Sequence, residues 1–560
     1  MDTTDQLYQD FLSEMDMLER FRQRYRQTHP SAPLEREDPD VRRLMESMAF
    51  FSVQTRRATL HNLRATWMRL FSSFFDFLLE PLPATALVRA VPDKKMAEAV
   101  VLPRGTELRL TPTEGVAGSF RLQRDLRVLP LELESSRLVE LKNGNLRVIL
   151  SFVSVLKDNS RKDSVGLLSL HVRHLDEYRS SLAVYHALRQ HLESVSVYYH
   201  DGDDSEDGNA YETARGAPWK PCKHSYRHPD EVEDSAAFSH PLHRVRSFFQ
   251  LPEQGLFLHV NVAPHSREWK RFSLCLDLKK EWTVGRSARP DFLVPFVAPV
   301  VNLKAEPAQL LSVDGTRSEF PLLSQSAGRE FRLQSVKAVY ELTPSGRSPM
   351  RPTHLPGKEA SYELEEELAE DLSPRHRLVV RMPEAFTEPR KVMVDALWYQ
   401  PKFASQAIPP FKVSTPSRHV EGMGWEMVGA LQPHRDSPVR DNVAALTQLL
   451  AWKTRPTLTR EQLLPVLASL GTPAENPFQA LLPLLGELKV STLPDGAMRG
   501  SGLRHVYELE LDAFEPSFEP LMVCLLEQVK EVLDAWNAEA SVELRPTVRG
   551  SGPLKLWGTP

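Results

Sequence analysis

The sequence predicts an α+β multidomain protein: a long N-terminal helical bundle segment, then β-rich mixed domains, then a C-terminal α/β domain. Three observations carry that expectation. The first 83 residues place apolar side chains at helical spacing and end at Pro81-Leu82-Pro83. After Pro83 the apolar period switches from helical to alternating, as strands require. The chain has 560 residues, too many for one core, so about two to four domains are expected. The composition shifts divide it into 1–83 (helical), 84–238 (α+β, ending in an acidic loop), 239–400 (β-rich) and 401–560 (mixed).

The helices come first. Segment one runs from Thr4 to Thr28, with Leu7, Phe11, Met15, Leu18, Phe21 and Tyr25 on its stripe. Thr3-x-x-Gln6 reads as a capping box, and His29-Pro30 stops the helix. Segment two opens on Asp38 as N-cap and Pro39 at the first helical position, and extends to Glu80. It carries Val41, Leu44, Met45 and Met48, then Leu60, Leu63, Trp67, Leu70, Phe71 and Phe74. Two such helices cannot bury their stripes against each other alone. The candidate interface set is therefore Leu7, Phe11, Leu18, Phe21, Leu60, Leu63, Trp67, Leu70, Phe71 and Phe74, packing in an intersubunit helical bundle. The competing reading packs them onto the chain's own sheet.

Beyond Pro83, short β-like runs cover Thr85–Val91, Thr106–Leu110 and Phe120–Leu122. Leu138–Leu141, Asn143-Gly144 and Leu146–Leu156 read as a hairpin with a two-residue turn. Leu167–Val172 and Val195–Tyr199 are strands around a helix at Leu182–Leu192, and Asp201–Asp234 reads as a mobile loop. Alternating runs follow at Leu256–Val262 and Phe272–Leu278, then a proline-restrained edge or linker strand at Leu293–Leu303. Phe331–Leu342, Leu378–Met382 and Val392–Tyr399 are strands, with a polar, acidic stretch at Tyr362–Asp371. Helices are expected at Val443–Trp452, Arg460–Leu470, Pro477–Leu485 and Pro520–Trp536, with a strand at Tyr507–Leu511 and a tail from Gly550.

Composition narrows the function. A net charge of -5 disfavours a global nucleic-acid binder. Three scattered cysteines, Cys222, Cys275 and Cys524, suit a reducing cytoplasm. The acidic start Met1-Asp2-Thr3-Thr4-Asp5 is no secretory signal, and no run approaches the apolar length of a membrane span, so no direct membrane insertion is expected.

Chemical constellations are weak. Cys222, His224 and His228, with His240 and His243, have zinc-ligand chemistry but one cysteine and the wrong spacing; they would serve a metal-dependent hydrolase only if the fold gathered them. His171 and His174 read as solvent-facing residues on opposite strand faces. Asp201–Gly208 fits no calcium-loop register, and Gly115–Ser119 lacks the P-loop lysine. Arg20, Arg22, Arg24 and Arg26 spread around their helix. No catalytic residue, metal ligand or cofactor is assigned, and an enzyme is not expected.

The ordered pattern of segments resembles the TssF family of bacterial type VI secretion baseplate subunits. It begins with the first helix ending in His29-Pro30, then Asp38-Pro39-Asp40-Val41-Arg42-Arg43-Leu44-Met45-Glu46-Ser47-Met48-Ala49-Phe50, then Pro81-Leu82-Pro83. It continues through His240-Pro241-Leu242, Phe248-Phe249-Gln250-Leu251-Pro252, Pro299-Val300-Val301-Asn302-Leu303 and Ala305-Glu306-Pro307 to the strand-then-helix order of Tyr507–Trp536. Thr59–Arg64 and Ala396–Gln400 depart from the family's usual residues, marking a divergent member. The resemblance implies a cytoplasmic baseplate wedge that holds and triggers a contractile sheath. It also implies two TssF copies assembling with TssG, and TssK linking the wedge to the inner-membrane complex. TssE and the VgrG spike would lie close by. A wedge protein of another phage-tail-like contractile device is the alternative.

Overall fold

The computed structural model describes residues 3–29, 39–155, 164–200, 219–227, 241–265, 268–282, 291–326, 330–353, 355, 357, 359–368, 374–382, 386, 388–416, 421–439, 442–471, 476–494, 502–536 and 540–557. The fold is mixed α+β and rich in strands. Helix α1 spans Thr3–Thr28 and α2 spans Pro39–Leu79, with a break at Phe75 (φ -139°, ψ 42°). The expected boundaries hold to within a residue, while the Asp38 cap lies outside the described residues.

The expected N-terminal bundle is not formed by this chain. Helix α1 packs along α2 as a two-helix hairpin, and the last turns of α2 enter the core of the body. Two helices can cover only the face each turns to the other, so a bundle needs helices the hairpin does not supply.

Behind the hairpin, a six-stranded sheet runs in the order Ile408–Ser414, Glu107–Glu114, Gly118–Leu122, Val297–Val301, Thr85–Pro92, Met423–Gln432. It thus draws strands from both sides of the 238/239 and 400/401 boundaries. Val297–Val301 is central in it rather than an edge. Pro299 is tolerated there because Gly118–Leu122 pairs only with Val300 and Val301, so no ladder bond needs the missing N–H. Phe296 (φ 62°) separates that strand from Leu293–Pro295, which joins a different sheet.

That second sheet has eight strands, and its register aligns Leu146–Ser154 with Arg271–Leu278 and Leu192–His200. The expected hairpin is present, but its turn is wider than two residues. Leu141 N donates to Asn145 O (2.8 Å), Gly144 N donates to Leu141 O (2.8 Å), and Gly144 alone takes a positive φ (81°). This is a type I turn closed by a left-handed glycine.

Lys220–Ser225 is a strand inside the expected loop, paired with Leu192–His200 and Phe257–Val262. Only Cys222 on it is buried, so it had no alternating pattern to read. Residues 201–218 and 228–234 of that loop, including the acidic run Asp201–Gly208, lie outside the described residues. Helix α3 spans Tyr178–His191, and a helix not expected from sequence spans Pro241–Gln250.

Between Val301 and Gln400 the chain leaves the six-stranded sheet and builds two facing sheets with their own core of Phe320, Leu378, Val394 and Trp398. The neck is pinned by buried amides: Asn302 Nδ2 donates to Ser119 O (2.9 Å), and Gln400 N donates to Asn302 Oδ1 (2.8 Å). The acidic stretch expected between strands is itself a strand, Ser361–Leu368. Its carboxylates face a basic neighbour, with Glu365 opposite Arg377 and Arg381 paired to Glu363 (3.4 Å).

The C-terminal unit is a sheet in which Leu503–Leu511 and Ser541–Val548 run parallel, joined across by the helix Glu519–Trp536. The expected tail is in fact packed. Leu556 is buried, and Trp557 Nε1 donates to His186 Nδ1 (3.0 Å).

Candidate protein-interaction surface

The hairpin α1–α2 concentrates the exposed apolar surface of the molecule. More than half of the exposed large apolar side chains among the described residues fall within its first 74 positions. Its inner seam follows sequence periodicity. Leu7, Phe11, Met15 and Leu18 are half-buried on α1, facing the buried Ala49 and Val53 of α2. Ser52 Oγ donates to Glu14 Oε1 (2.7 Å) and fixes the register.

The outer side chains extend beyond that seam. On α1, Tyr8 and Leu12 flank one side and Met17, Phe21 and Tyr25 the other, with Phe21 66% exposed. Added to the seam, they widen the apolar arc to about 220° of the helix circumference, roughly twice what one neighbour covers. On α2, Leu44, Met48 and Phe51 form an i, i+4, i+7 stripe, and Leu63, Leu70 and Phe74 an i, i+7, i+11 stripe. Trp67 is half-buried beside the second stripe, and the side chain of Leu60 lies outside the described residues.

Phe71 departs from the expected set. It is 0% exposed and packs in the chain's own core beside Phe75 (ring centroids 5.0 Å apart), which in turn lies 5.9 Å from Trp536. It has no face left for another subunit. Tyr8, Leu12, Met17 and Phe51 are surface residues that the helical stripes passed over, and Leu44 and Met48, though on the stripe of segment two, were left out of the candidate interface set. Their signal was the second set of i, i+4 spacings, at 8/12, 17/21 and 44/48.

The base of the hairpin is held firmly. A helix leaves its last carbonyls without partners, and cations are favoured there. The guanidinium of Arg246, 1% exposed, donates to Phe77 O, and Ser437 Oγ donates to Leu78 O (2.6 Å). Gln250 Nε2 donates to Pro83 O (2.6 Å), and Leu82 and Arg435 exchange backbone bonds of 2.8 and 2.9 Å. The Lys453 ammonium sits 5.5 Å from the Trp536 ring, and burial lowers its pKa. Arg246 and Gln250 were not readable from sequence because the helix Pro241–Gln250 was not, and Arg435 and Ser437 because they lie in the irregular stretch after Met423–Gln432.

The histidines divide differently from expectation. His171 and His174 are both buried rather than solvent-facing. His171 Nε2 donates to Glu253 O (3.1 Å), and burial, reinforced by Arg173 and Arg124, lowers its pKa to about 4. His174 Nδ1 pairs with Ser180 Oγ (2.6 Å). Gly166–Val172 is paired on both edges and the ring of His171 packs against Phe257 (centroids 4.9 Å apart), while His174 lies beyond that strand, where its backbone N donates to Ser181 Oγ (2.8 Å).

Of the zinc-like residues, the Cys222 thiol accepts from Ala263 N (3.4 Å) and its pKa is raised by burial. His224 packs on Tyr226, and His243 lies 4.0 Å from Glu80. His228 and His240 lie outside the described residues. Among the described residues no three His, Cys, Asp or Glu side chains are gathered as a metal site. Gly115, Val116 and Ala117 turn the chain between the paired strands Glu107–Glu114 and Gly118–Leu122, the second of which takes up Gly118 and Ser119.

The family model for the type VI secretion system protein TssF matches residues 3–367. The chain belongs to the TssF family. A solved chain from a type VI secretion TssK-TssF-TssG baseplate subcomplex, determined by cryo-electron microscopy, is similar in fold. Its TM-score is 0.69 at 16% identity, covering 93% of this chain and 99% of that one. A second, from the baseplate complex of the type VI secretion system, gives a TM-score of 0.61 at 15% identity, with 99% of each chain covered. No curated protein matches the sequence. In this TssF-family chain the matched region takes in the whole α1–α2 hairpin and its anchors up to Gln250. No described helix is long and apolar enough to cross a membrane.

Proposed function

We propose that this chain is a structural subunit of a type VI secretion baseplate wedge, assembling with a TssG-like and a TssK-like protein, and not an enzyme. Membership of the TssF family supports the assignment, and the structurally similar chains come from TssK-TssF-TssG and baseplate complexes. The observation that carries the assembly role is the hairpin: a firmly anchored pair of helices whose outer faces hold Phe21, Phe51, Leu63, Leu70 and Phe74 open to solvent. Burying such stripes is favourable by about 25 cal/mol per Å², a gain that partner chains covering them would supply. The wedge would sit in the cytoplasm at the inner-membrane complex, with a second copy of this chain, the sheath initiator TssE and the VgrG spike as neighbours. It would help dock the sheath and transmit the trigger for contraction.

Co-expression with the TssG-like protein, followed by size-exclusion chromatography and mass determination, tests this. A defined complex is expected, lost in the combined Leu63→Asp, Leu70→Asp, Phe74→Asp variant. A wild-type chain that elutes alone in the presence of the TssG-like protein refutes the proposal.

A further inference from the structure

The C-terminal sheet ends on a long open strand. Leu485–Pro494 stands at one edge of the order Leu485–Pro494, Leu503–Leu511, Ser541–Val548, Gly552–Pro553. At 10 residues it exceeds the roughly 5–6 of a typical strand. Edges are normally kept short or covered, because their outward N–H and C=O groups invite pairing. The first residues of this one are engaged: Arg460 Nε donates to Leu485 O (2.6 Å), and the ladder shifts register between Leu485 and Leu488. From Lys489 to Pro494 every residue is exposed, Val490 to 36% and Leu493 to 46%. Leu544, Tyr507 and Val490 form one row across three strands, and the helix Glu519–Trp536 packs on the first of these, Ser541–Val548. Leu544 and Tyr507 are therefore buried, and cover has run out by the time the row reaches Val490.

The other face of the sheet supplies the charge. Arg545, Glu508 and Lys489 stand opposite one another on the same three strands, so the row alternates in sign and ends on a cation at the open edge. We propose that Lys489–Pro494 receives an extended segment of a partner protein as a further antiparallel strand, with a carboxylate opposite Lys489 and β-branched side chains beside Val490 and Thr492. This surface is separate from the hairpin, and the inference goes beyond the assembly reading without resting on it. A lysine on an edge ordinarily repels a like edge; here it selects the occupant. Lys489 does reach Glu487 on its own strand (3.2 Å), but the two side chains are 67% and 62% exposed, so the pair is solvated and weak. A second copy of this chain fits less well. Self-pairing centred on Ser491 sets Lys489 against Leu493, and the register that would set it against Glu487 is centred on Leu488, beside the shift in the ladder.

The test uses the full chain and two labelled peptides, Leu-Val-Thr-Val-Glu-Val and its twin with lysine in place of glutamate, which set the charged residue opposite Lys489 when paired antiparallel. Fluorescence anisotropy should show the glutamate peptide binding at least about tenfold more tightly, with the difference shrinking as salt rises. Lys489→Glu should reverse the preference. Neighbouring residues of a strand turn their N–H groups to opposite sides, so of Val490→Pro and Ser491→Pro one removes a donor from the free side and the other a bond to Leu503–Leu511. The variant whose melting curve stays in place should lose both peptides. Equal affinity for the two peptides overturns the proposal, as does binding of neither. A dimer of the wild-type chain in analytical ultracentrifugation, broken by that same proline while neither peptide binds, overturns it in favour of a second copy.

Discussion

Phe71 and Phe74 sit three residues apart on one helix, about 60° apart around its axis, yet they should behave oppositely. Phe71 is 0% exposed and Phe74 is 52% exposed. Truncating a fully buried phenylalanine removes its transfer free energy and leaves a cavity, together about 3–5 kcal/mol. Here the cavity opens beside Phe75 and, behind it, Trp536. Phe71→Ala should therefore lower the local opening free energy where α2 meets the helix Glu519–Trp536. Tenfold in rate corresponds to about 1.4 kcal/mol, so amide exchange there should accelerate by roughly two to four orders of magnitude. Phe74→Ala should change exchange in the isolated chain by no more than about 0.5 kcal/mol, yet weaken association with the proposed TssG-like partner. Hydrogen exchange by mass spectrometry on peptides covering residues 70–83 and 519–536 makes the comparison, with co-elution as the second readout. Equal exchange for the two variants would refute the division between core and interface drawn at this turn.

Three further outcomes follow from particular contacts. His171 has a folded pKa of about 4 against 6.5 in the unfolded chain, so protons favour the unfolded state. Its contribution is intact above about pH 6.5 and is lost as pH falls from there to about 4, up to roughly 3 kcal/mol. His171→Gln should flatten part of the fall in unfolding midpoint across that window, the remainder belonging to groups such as His186, also lowered to about 4 by burial. Arg246→Met removes the cation that caps Phe77 O, and should cost about 1.5–3 kcal/mol, seen as faster exchange over residues 77–83 with the Tyr178–His191 helix unaffected. Trp557→Ala removes the bond to His186 and the ring 4.6 Å from the Arg189 guanidinium. It should loosen α3 by about 1–3 kcal/mol in the same measurement, which a free tail could not do.

The legible parts of the sequence were those where one period runs long and one face decides the pattern. Helices α1 and α2 and the strands Leu192–His200, Arg271–Leu278 and Arg390–Tyr399 were read within a few residues of their ends. Elements failed where pairing, not pattern, creates them. Lys220–Ser225 has one buried side chain and exists because two strands leave a place between them. Ser361–Leu368 reads as an acidic solvated run until Arg377 and Arg381 are set across from it. Leu293–Leu303 looked like one restrained strand, yet Phe296 divides it between two sheets, one of them central. On the candidate surface, spacing identified which helices matter but could not separate the face spent inside from the face left open. Phe71 and Phe74 are equally apolar in the sequence; only the position of Trp536, far along the chain, tells them apart.

That separation bears on how such a hairpin can be exposed without collapsing onto its own body. Apolar stripes as wide as those of α1 and α2 would fold back if the base of α2 were free to turn. Instead, successive carbonyls after the break at Phe75 are taken: Phe77 by Arg246, Leu78 by Ser437, Leu82 by Arg435 and Pro83 by Gln250. The break lets the chain change direction, and the captured carbonyls fix the direction it takes. Arg246 is a costly residue to bury, and a buried guanidinium is weak grounds for stability on its own. Its use here is geometric: a guanidinium N–H aimed at Phe77 O holds a helix end in place where an apolar side chain would only fill space. The prediction for Arg246→Met therefore has a second half. If the arginine sets direction, the variant should keep most of its stability in the rest of the body while losing yield of the complex, because open stripes that point elsewhere no longer meet their partners together. A variant that assembles as well as the wild type, despite faster exchange over residues 77–83, would show that packing of Phe71 and Phe75 alone aims the hairpin.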